Sequence, residues 1–113
     1  MKKTKLGEFE ELVLLTVLVL REEAFGVGIK RELEGRLNET LSVGSVQSAL
    51  KRMEEKGFLT SEWGEAAKVR GGKRKRIYQV TDAGQQVLNQ MKDIRSSLWQ
   101  SIIQTDRPYH AFA

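Results

Sequence analysis

The sequence predicts a mainly α domain of the α+β class, with three helices, a two-stranded hairpin and a long fourth helix in that order. Three observations predict it. Apolar residues recur at helical spacing through the first half, the pattern turns strand-like between 58 and 80 on either side of a basic loop, and a helical period resumes after Thr81. At 113 residues, 40% hydrophobic and 30% charged, the chain is long enough for one compact domain and too short for two ordinary ones.

The first helix is expected from Gly7 to Glu23. Phe9, Leu12, Val13, Leu14, Leu15, Val17, Leu18, Val19 and Leu20 leave only Thr16 polar within the run, so the helix is apolar nearly all round and needs cover on more than one side. One face can serve its own domain while the other meets a second subunit. A buried strand competes because valine is frequent, although the length and the Glu-rich lead-in favour helix. The start, Lys2-Lys3-Thr4-Lys5, imitates a signal peptide, but Glu8, Glu10 and Glu11 interrupt it and Arg21-Glu22-Glu23 follows the run. Nine apolar-run residues fall short of a membrane span, and no membrane association is expected.

Ala24-Phe25-Gly26 is a break. Val27 to Leu37, with Val27, Ile29, Leu33 and Leu37 apolar, predicts a second, amphipathic helix. A third is expected from about Gly44 to Lys56, ending at Gly57, a residue suited to a left-handed helix cap. The strands are expected at Phe58 to Trp63 and at Arg76 to Val80. Thr81 then caps the last helix and Asp82 favours its dipole. In that helix Val87, Met91, Ile94 and Leu98 are spaced four, three and four, with Leu88, Trp99, Ile102 and Ile103 widening the stripe, which marks a helix that seeks a partner helix. Arg107-Pro108 ends it.

Charge is distributed unevenly. Residues 1–60 balance ten basic side chains against ten acidic ones, so the net charge of +4 arises beyond residue 60. Lys68, Arg70, Lys73, Arg74, Lys75 and Arg76 crowd into nine positions, a local polyanion-binding signature. A solvated charge run, or an edge strand protected by lysines, is the plainer reading of the same residues. The acidic pairs Glu10-Glu11, Glu22-Glu23 and Glu54-Glu55 are expected to be solvated faces. No catalytic residue, metal ligand or cofactor is expected: the sole histidine is His110 near the end, and cysteine is absent, which suits a reducing cytoplasmic setting.

This order of elements describes a winged helix-turn-helix with an added C-terminal dimerisation helix. About 100° per residue puts Val46, Leu50 and Met53 on one side of the third helix and Ser48 and Lys51 on the other, with Gln47 and Arg52 flanking. The N-terminal half of such a helix enters the major groove of double-stranded DNA, where Gln47 can pair with adenine and Lys51 can reach guanine or a phosphate. Ser45, Gln47, Ser48, Lys51 and Arg52 on the helix, and Lys73, Arg74, Lys75 and Arg76 on the wing, are the candidate DNA-binding residues. Gly71-Gly72 permits the wing a tight excursion. A winged-helix module that binds protein without DNA is the alternative class, and within the preferred class the competitor is a regulator of another winged-helix family.

The run Gly44-Ser45-Val46-Gln47-Ser48-Ala49-Leu50-Lys51-Arg52-Met53-Glu54-Glu55-Lys56-Gly57-Phe58-Leu59, followed by Arg76-Ile77-Tyr78-Gln79-Val80-Thr81-Asp82-Ala83-Gly84, resembles the PadR family of bacterial transcriptional regulators. The similarity spans about residues 6 to 90. Family members carry a Gly-Thr-Leu-Tyr-Pro-Ala-Leu-type recognition helix and a Tyr-x-x-Thr-x-x-Gly element, which this chain keeps as Tyr78, Thr81 and Gly84. It departs at Gln47 and Ser48, where Tyr and Pro are usual, and at Gly26-Val27, where Gly-Tyr is usual.

The short C-terminal extension resembles that of small family members in which one terminal helix makes the homodimer. The expected division is 1–84 for the winged-helix domain, 85–106 for the dimerisation helix and 107–113 for a flexible tail. Leu12, Val87, Met91, Ile94, Leu98, Trp99 and Ile102 are the expected dimer interface, presenting two recognition helices to a pseudo-palindromic operator. Trp99 has two readings, interface core or one wall of a cleft that stacks a small aromatic effector as in some drug-sensing relatives. Phe9 and Met91 are further candidates to line that cleft.

Overall fold

The computed structural model describes residues 6–64 and 75–103. Helix α1 (Glu8–Leu20) is followed by a 3₁₀ turn (Arg21–Glu23), α2 (Gly26–Leu37), α3 (Val43–Glu55), strands β1 (Leu59–Trp63) and β2 (Arg76–Val80), and α4 (Asp82–Ile103). The first helix ends with its apolar run at Leu20, three residues before the expected Glu23, because Arg21 takes a φ of 54° and the chain leaves the α path there. Helix α4 runs unbroken across position 84, and the expected tail at 107–113 lies outside the described residues.

The core is built from one face of each helix. Val13, Leu14 and Val17 of α1, Ile29 and Leu33 of α2, and Val46, Ala49, Leu50 and Met53 of α3 are buried together with Leu59, Tyr78, Val87 and Leu88. Each such Val, Leu or Ile side chain contributes about 1.5–3 kcal/mol relative to exposure. The predicted inner face of α3 is therefore the observed one. On α1, Leu15, Leu18 and Val19 point outward, so the surplus apolar surface inferred from the run is real.

Strands β1 and β2 pair antiparallel with Leu59 opposite Val80 and Trp63 opposite Arg76. The other edge of β2 receives the segment before α2: Phe25 bridges to Ile77, and the Tyr78 N–H donates to the Ala24 carbonyl at 3.0 Å. Central position buries Tyr78. Burial chiefly raises its phenol above the ordinary value, Arg76 opposes and Glu54 reinforces, so it remains a neutral phenol.

The turn after α3 is a Schellman arrangement. Gly57 adopts a φ of 83°, its N–H reaches the Glu54 carbonyl, and the Phe58 N–H reaches the Met53 carbonyl at 2.9 Å. Thr81 ties that turn to α4, donating from Oγ1 to the Gly57 carbonyl at 2.6 Å and accepting the Gly84 N–H at 3.0 Å. A Cβ at Gly84 would stand 2.4 Å from the Phe58 carbonyl oxygen, so glycine is required for α4 to approach so closely.

The pair Glu10-Glu11 corrects an expectation. Both side chains are largely buried rather than solvated, Glu10 holding Arg52 and Lys56 of α3 and Glu11 holding Arg95 of α4. The α1 lead-in turns inward because cations from two other helices are available to meet it. Val87 is a second correction. At 4% exposure it belongs to the core of its own chain and has little surface to offer a partner, since the base of α4 packs back onto α1 and β2.

Candidate nucleic-acid interface

The N-terminus of α3 is organised by Ser42, whose hydroxyl accepts the Ser45 N–H at 3.0 Å while the Ser45 hydroxyl donates back to the Ser42 carbonyl. Ser45 is therefore engaged in the cap. With Val46, Ala49 and Leu50 turned into the core, Gln47, Ser48 and Lys51 stand exposed on the outer face. These three share a groove of about 640 Å³ with Arg76 and Tyr78 of β2 and Glu54 and Glu55 of α3.

Arg76 is fixed by its neighbours. Its Nε donates to Ser61 Oγ at 2.8 Å, the Ser61 hydroxyl donates to Glu54 Oε2 at 2.6 Å, and its guanidinium carbon lies 5.1 Å from the centre of the Trp63 ring. The Ser61 hydroxyl thus links the Glu54 carboxylate to Arg76 within that groove. Lys75 sits over the Phe25 ring at 5.0 Å. A second concavity of about 380 Å³ joins the hairpin to the start of α2, lined by Phe25, Gly26, Val27, Gln47, Trp63, Lys75, Arg76 and Tyr78.

The structure thus brings Gln47, Ser48, Lys51, Lys75 and Arg76 onto one continuous face. Arg52 stands apart from it. Its Nε donates to Glu10 Oε2 at 2.7 Å on the α1 side of α3, although the side chain remains half exposed. Lys68, Arg70, Gly71, Gly72, Lys73 and Arg74 lie outside the described residues. Sequence reasoning missed Phe25 and Trp63, whose place on this face depends on the strand register. It also missed Gly26, where an added Cβ would stand 2.9 Å from Gln47 Nε2.

Along α4, Ile94, Leu98 and Trp99 are exposed, and Met91 and Ile102 are half-buried. Leu12 and Phe9 are half-buried against the core. Trp99 lines a groove of about 400 Å³ between α1 and α4 with Glu11, Leu15, Leu88, Lys92 and Arg95. Neither Phe9 nor Met91 lines that groove. Among the described residues, no group of His, Cys, Asp and Glu is placed to hold a metal, and no helix is long and apolar enough to cross a membrane.

A model of the PadR-like family of transcriptional regulators matches residues 14–90. The fold is similar to that of a PadR family transcriptional regulator from Eggerthella lenta, at 26% identity over 88% of each chain with a TM-score of 0.62. It is similar also to a PadR-like transcription factor from Bacteroides fragilis (19% identity, 83% of this chain and 85% of that one, TM-score 0.65) and to a PadR-like regulator from Bacillus cereus (21%, 87% and 93%, TM-score 0.63). No curated protein matches the sequence.

Proposed function

The chain belongs to the PadR-like family of transcriptional regulators, and from that premise we propose that it is a cytoplasmic homodimeric repressor that reads a pseudo-palindromic operator. The observation that carries this reading is the outward face of α3: Gln47, Ser48 and Lys51 are exposed in one groove with Arg76, and no apolar residue of α3 shares it. With α3 in the major groove, Gln47 pairs bidentately with adenine and Lys51 reaches guanine or a phosphate. Lys73, Arg74, Lys75 and Arg76 neutralise phosphates or enter the minor groove. Two such faces related by a two-fold axis span half-sites about 34–36 Å apart. Repression follows from occupancy, because a dimer seated on a promoter excludes polymerase.

Homodimerisation uses the exposed stripe of α4 together with the outer residues of α1, and residues 85–106 act as the dimerising segment. A small flat aromatic effector stacking on Trp99 would change the spacing of the two α3 helices and release the operator. Selection of bound genomic fragments tests the central reading. Enrichment of palindromic sites supports it, and a protein that ignores duplex DNA even in dilute buffer overturns it. For the effector, aromatic compounds are titrated against the Trp63→Phe variant, in which Trp99 is the one remaining tryptophan. Absence of quenching by any of them removes the cleft.

A further inference from the structure

We propose that Trp63 is a contact to the sugar–phosphate backbone of the duplex, and that Arg76, stacked on it, is its phosphate-binding partner. The inference rests on the DNA-binding reading above and adds to it a residue outside the basic run. Trp63 ends β1, directly opposite Arg76 in the register, and 53% of it is exposed. It sits in the same concavity as Gln47, Lys75 and Arg76, so its accessible ring adjoins the groove-facing surface of α3. Alternation along β1 sends Glu62 to the other face, where it lines a separate groove with Arg21 and Glu22.

Arg76 is held as a binding group is held. Its Nε is anchored on Ser61 and its guanidinium carbon lies over the indole, 5.1 Å from the ring centre, while its two terminal nitrogens make no hydrogen bond or ion pair among the described residues. A guanidinium presented in this way matches the paired oxygens of a phosphate. DNA backbone alternates an anionic phosphate with a largely apolar deoxyribose, and the Arg76–Trp63 pair presents a cation beside an apolar ring. Lys75 over Phe25 repeats that pairing at the adjoining position. The charge of this surface selects an anionic polymer over a second apolar helix, and the shared concavity with Gln47 selects duplex DNA.

The test labels the intact protein with fluorotryptophan, which gives one fluorine resonance for each of its two tryptophans, assigned with the Trp63→Phe variant. A mixed-sequence duplex of about three helical turns is titrated in dilute buffer, and binding is followed in parallel by anisotropy of the labelled duplex. The Trp63 resonance is expected to shift in step with the bound fraction. Trp63→Ala is expected to bind several-fold more weakly with the salt dependence of wild type, whereas Arg76→Gln reduces that dependence by about one phosphate per protomer. An unmoved Trp63 resonance at saturation, or wild-type affinity in a folded Trp63→Ala, overturns the proposal while leaving DNA binding intact. Failure of the wild-type protein to bind the duplex overturns the functional reading itself, and this proposal with it.

Discussion

Glu10 and Arg52 stand 42 residues apart and meet at 2.7 Å, the carboxylate accepting from the guanidinium Nε. The other Glu10 oxygen accepts the Gly7 N–H at 3.0 Å and Lys56 Nζ at 3.2 Å, so one side chain joins the first turn of α1 to the last turns of α3. Burial opposes its ionisation, but the hydrogen bonds from Arg52, Gly7 and Lys56 outweigh it and hold the pKa below the ordinary 4.5. A carboxylate shifted downward contributes stability that is present above the unfolded value and is lost as pH falls through the folded one. Glu10→Gln is expected to lower stability by roughly 1 kcal/mol at about pH 7, and urea melts should converge with wild type as pH falls through the lowered folded-state pKa. A constant difference across that range would show that the charge of Glu10 is immaterial.

The same bond points to a structural role for Arg52. If its guanidinium serves α1 rather than the operator, Arg52→Ala lowers the melting temperature and leaves the salt slope of DNA binding as it was. Lys51→Ala, one residue away and facing out, does the reverse. Salt-dependent anisotropy on both variants separates the two roles.

At the junction of the hairpin and α4, Thr81 and Gly84 act together. Thr81→Ala removes both the cap of α4 and its bond to the Gly57 carbonyl, an expected loss of about 1 kcal/mol. Gly84→Ala forces a Cβ to within 2.4 Å of the Phe58 carbonyl oxygen and is expected to cost roughly 1–3 kcal/mol as the two backbones part. Once they have parted, the Thr81 bonds are already weakened. The double variant should therefore lose less than the sum of the singles in denaturant melts.

Local periodicity and cap chemistry made the element order and the buried face of α3 legible in the sequence. Val46, Leu50 and Met53 can share one side only if the segment is helical, Gly57 marks the turn that ends it, and Thr81 marks the start of α4. Long-range pairing was not legible. Nothing local distinguishes Glu10 from Glu22, and only the assembled fold supplies Arg52 and Lys56 to the first and not to the second. Val87 failed for a related reason: the four-three spacing shows that a stripe is covered, not which helix covers it. Trp63 needed the register that sets it opposite Arg76.

Gly26 separates packing from recognition. A methyl group there would meet only Gln47 Nε2, the far end of a flexible side chain, at 2.9 Å. Gln47 can swing away without disturbing the core, so Gly26→Ala should leave stability unchanged to within about 1 kcal/mol. The displaced amide can no longer hold its place on the groove-facing surface. Gly26→Ala and Gln47→Ala are therefore expected to relax base preference at the same single position of each half-site, by about 1–3 kcal/mol of discrimination. Site selection with each variant gives the comparison, and a Gly26→Ala profile identical to wild type would detach Gln47 from base reading.

The apolar stripe on α4 is tested by placing a charge in it. Ile94 and Leu98 are 58% and 61% exposed, one helical turn apart, and Leu15 and Val19 are exposed on α1. Such side chains contribute little to the packing of their own chain, so Leu98→Glu leaves the α1 to α4 core intact while setting a carboxylate against any helix that docks on the stripe. Light scattering at micromolar concentration should then report a monomer for the variant and is expected to report a dimer for wild type. The variant's melting temperature should also stop depending on concentration, because no association remains to be linked to folding. Affinity for a two-half-site duplex should fall much further than affinity for one half-site, since the second contact loses the effective concentration that the tether supplied. A Leu98→Glu protein that remains dimeric would move the interface off α4.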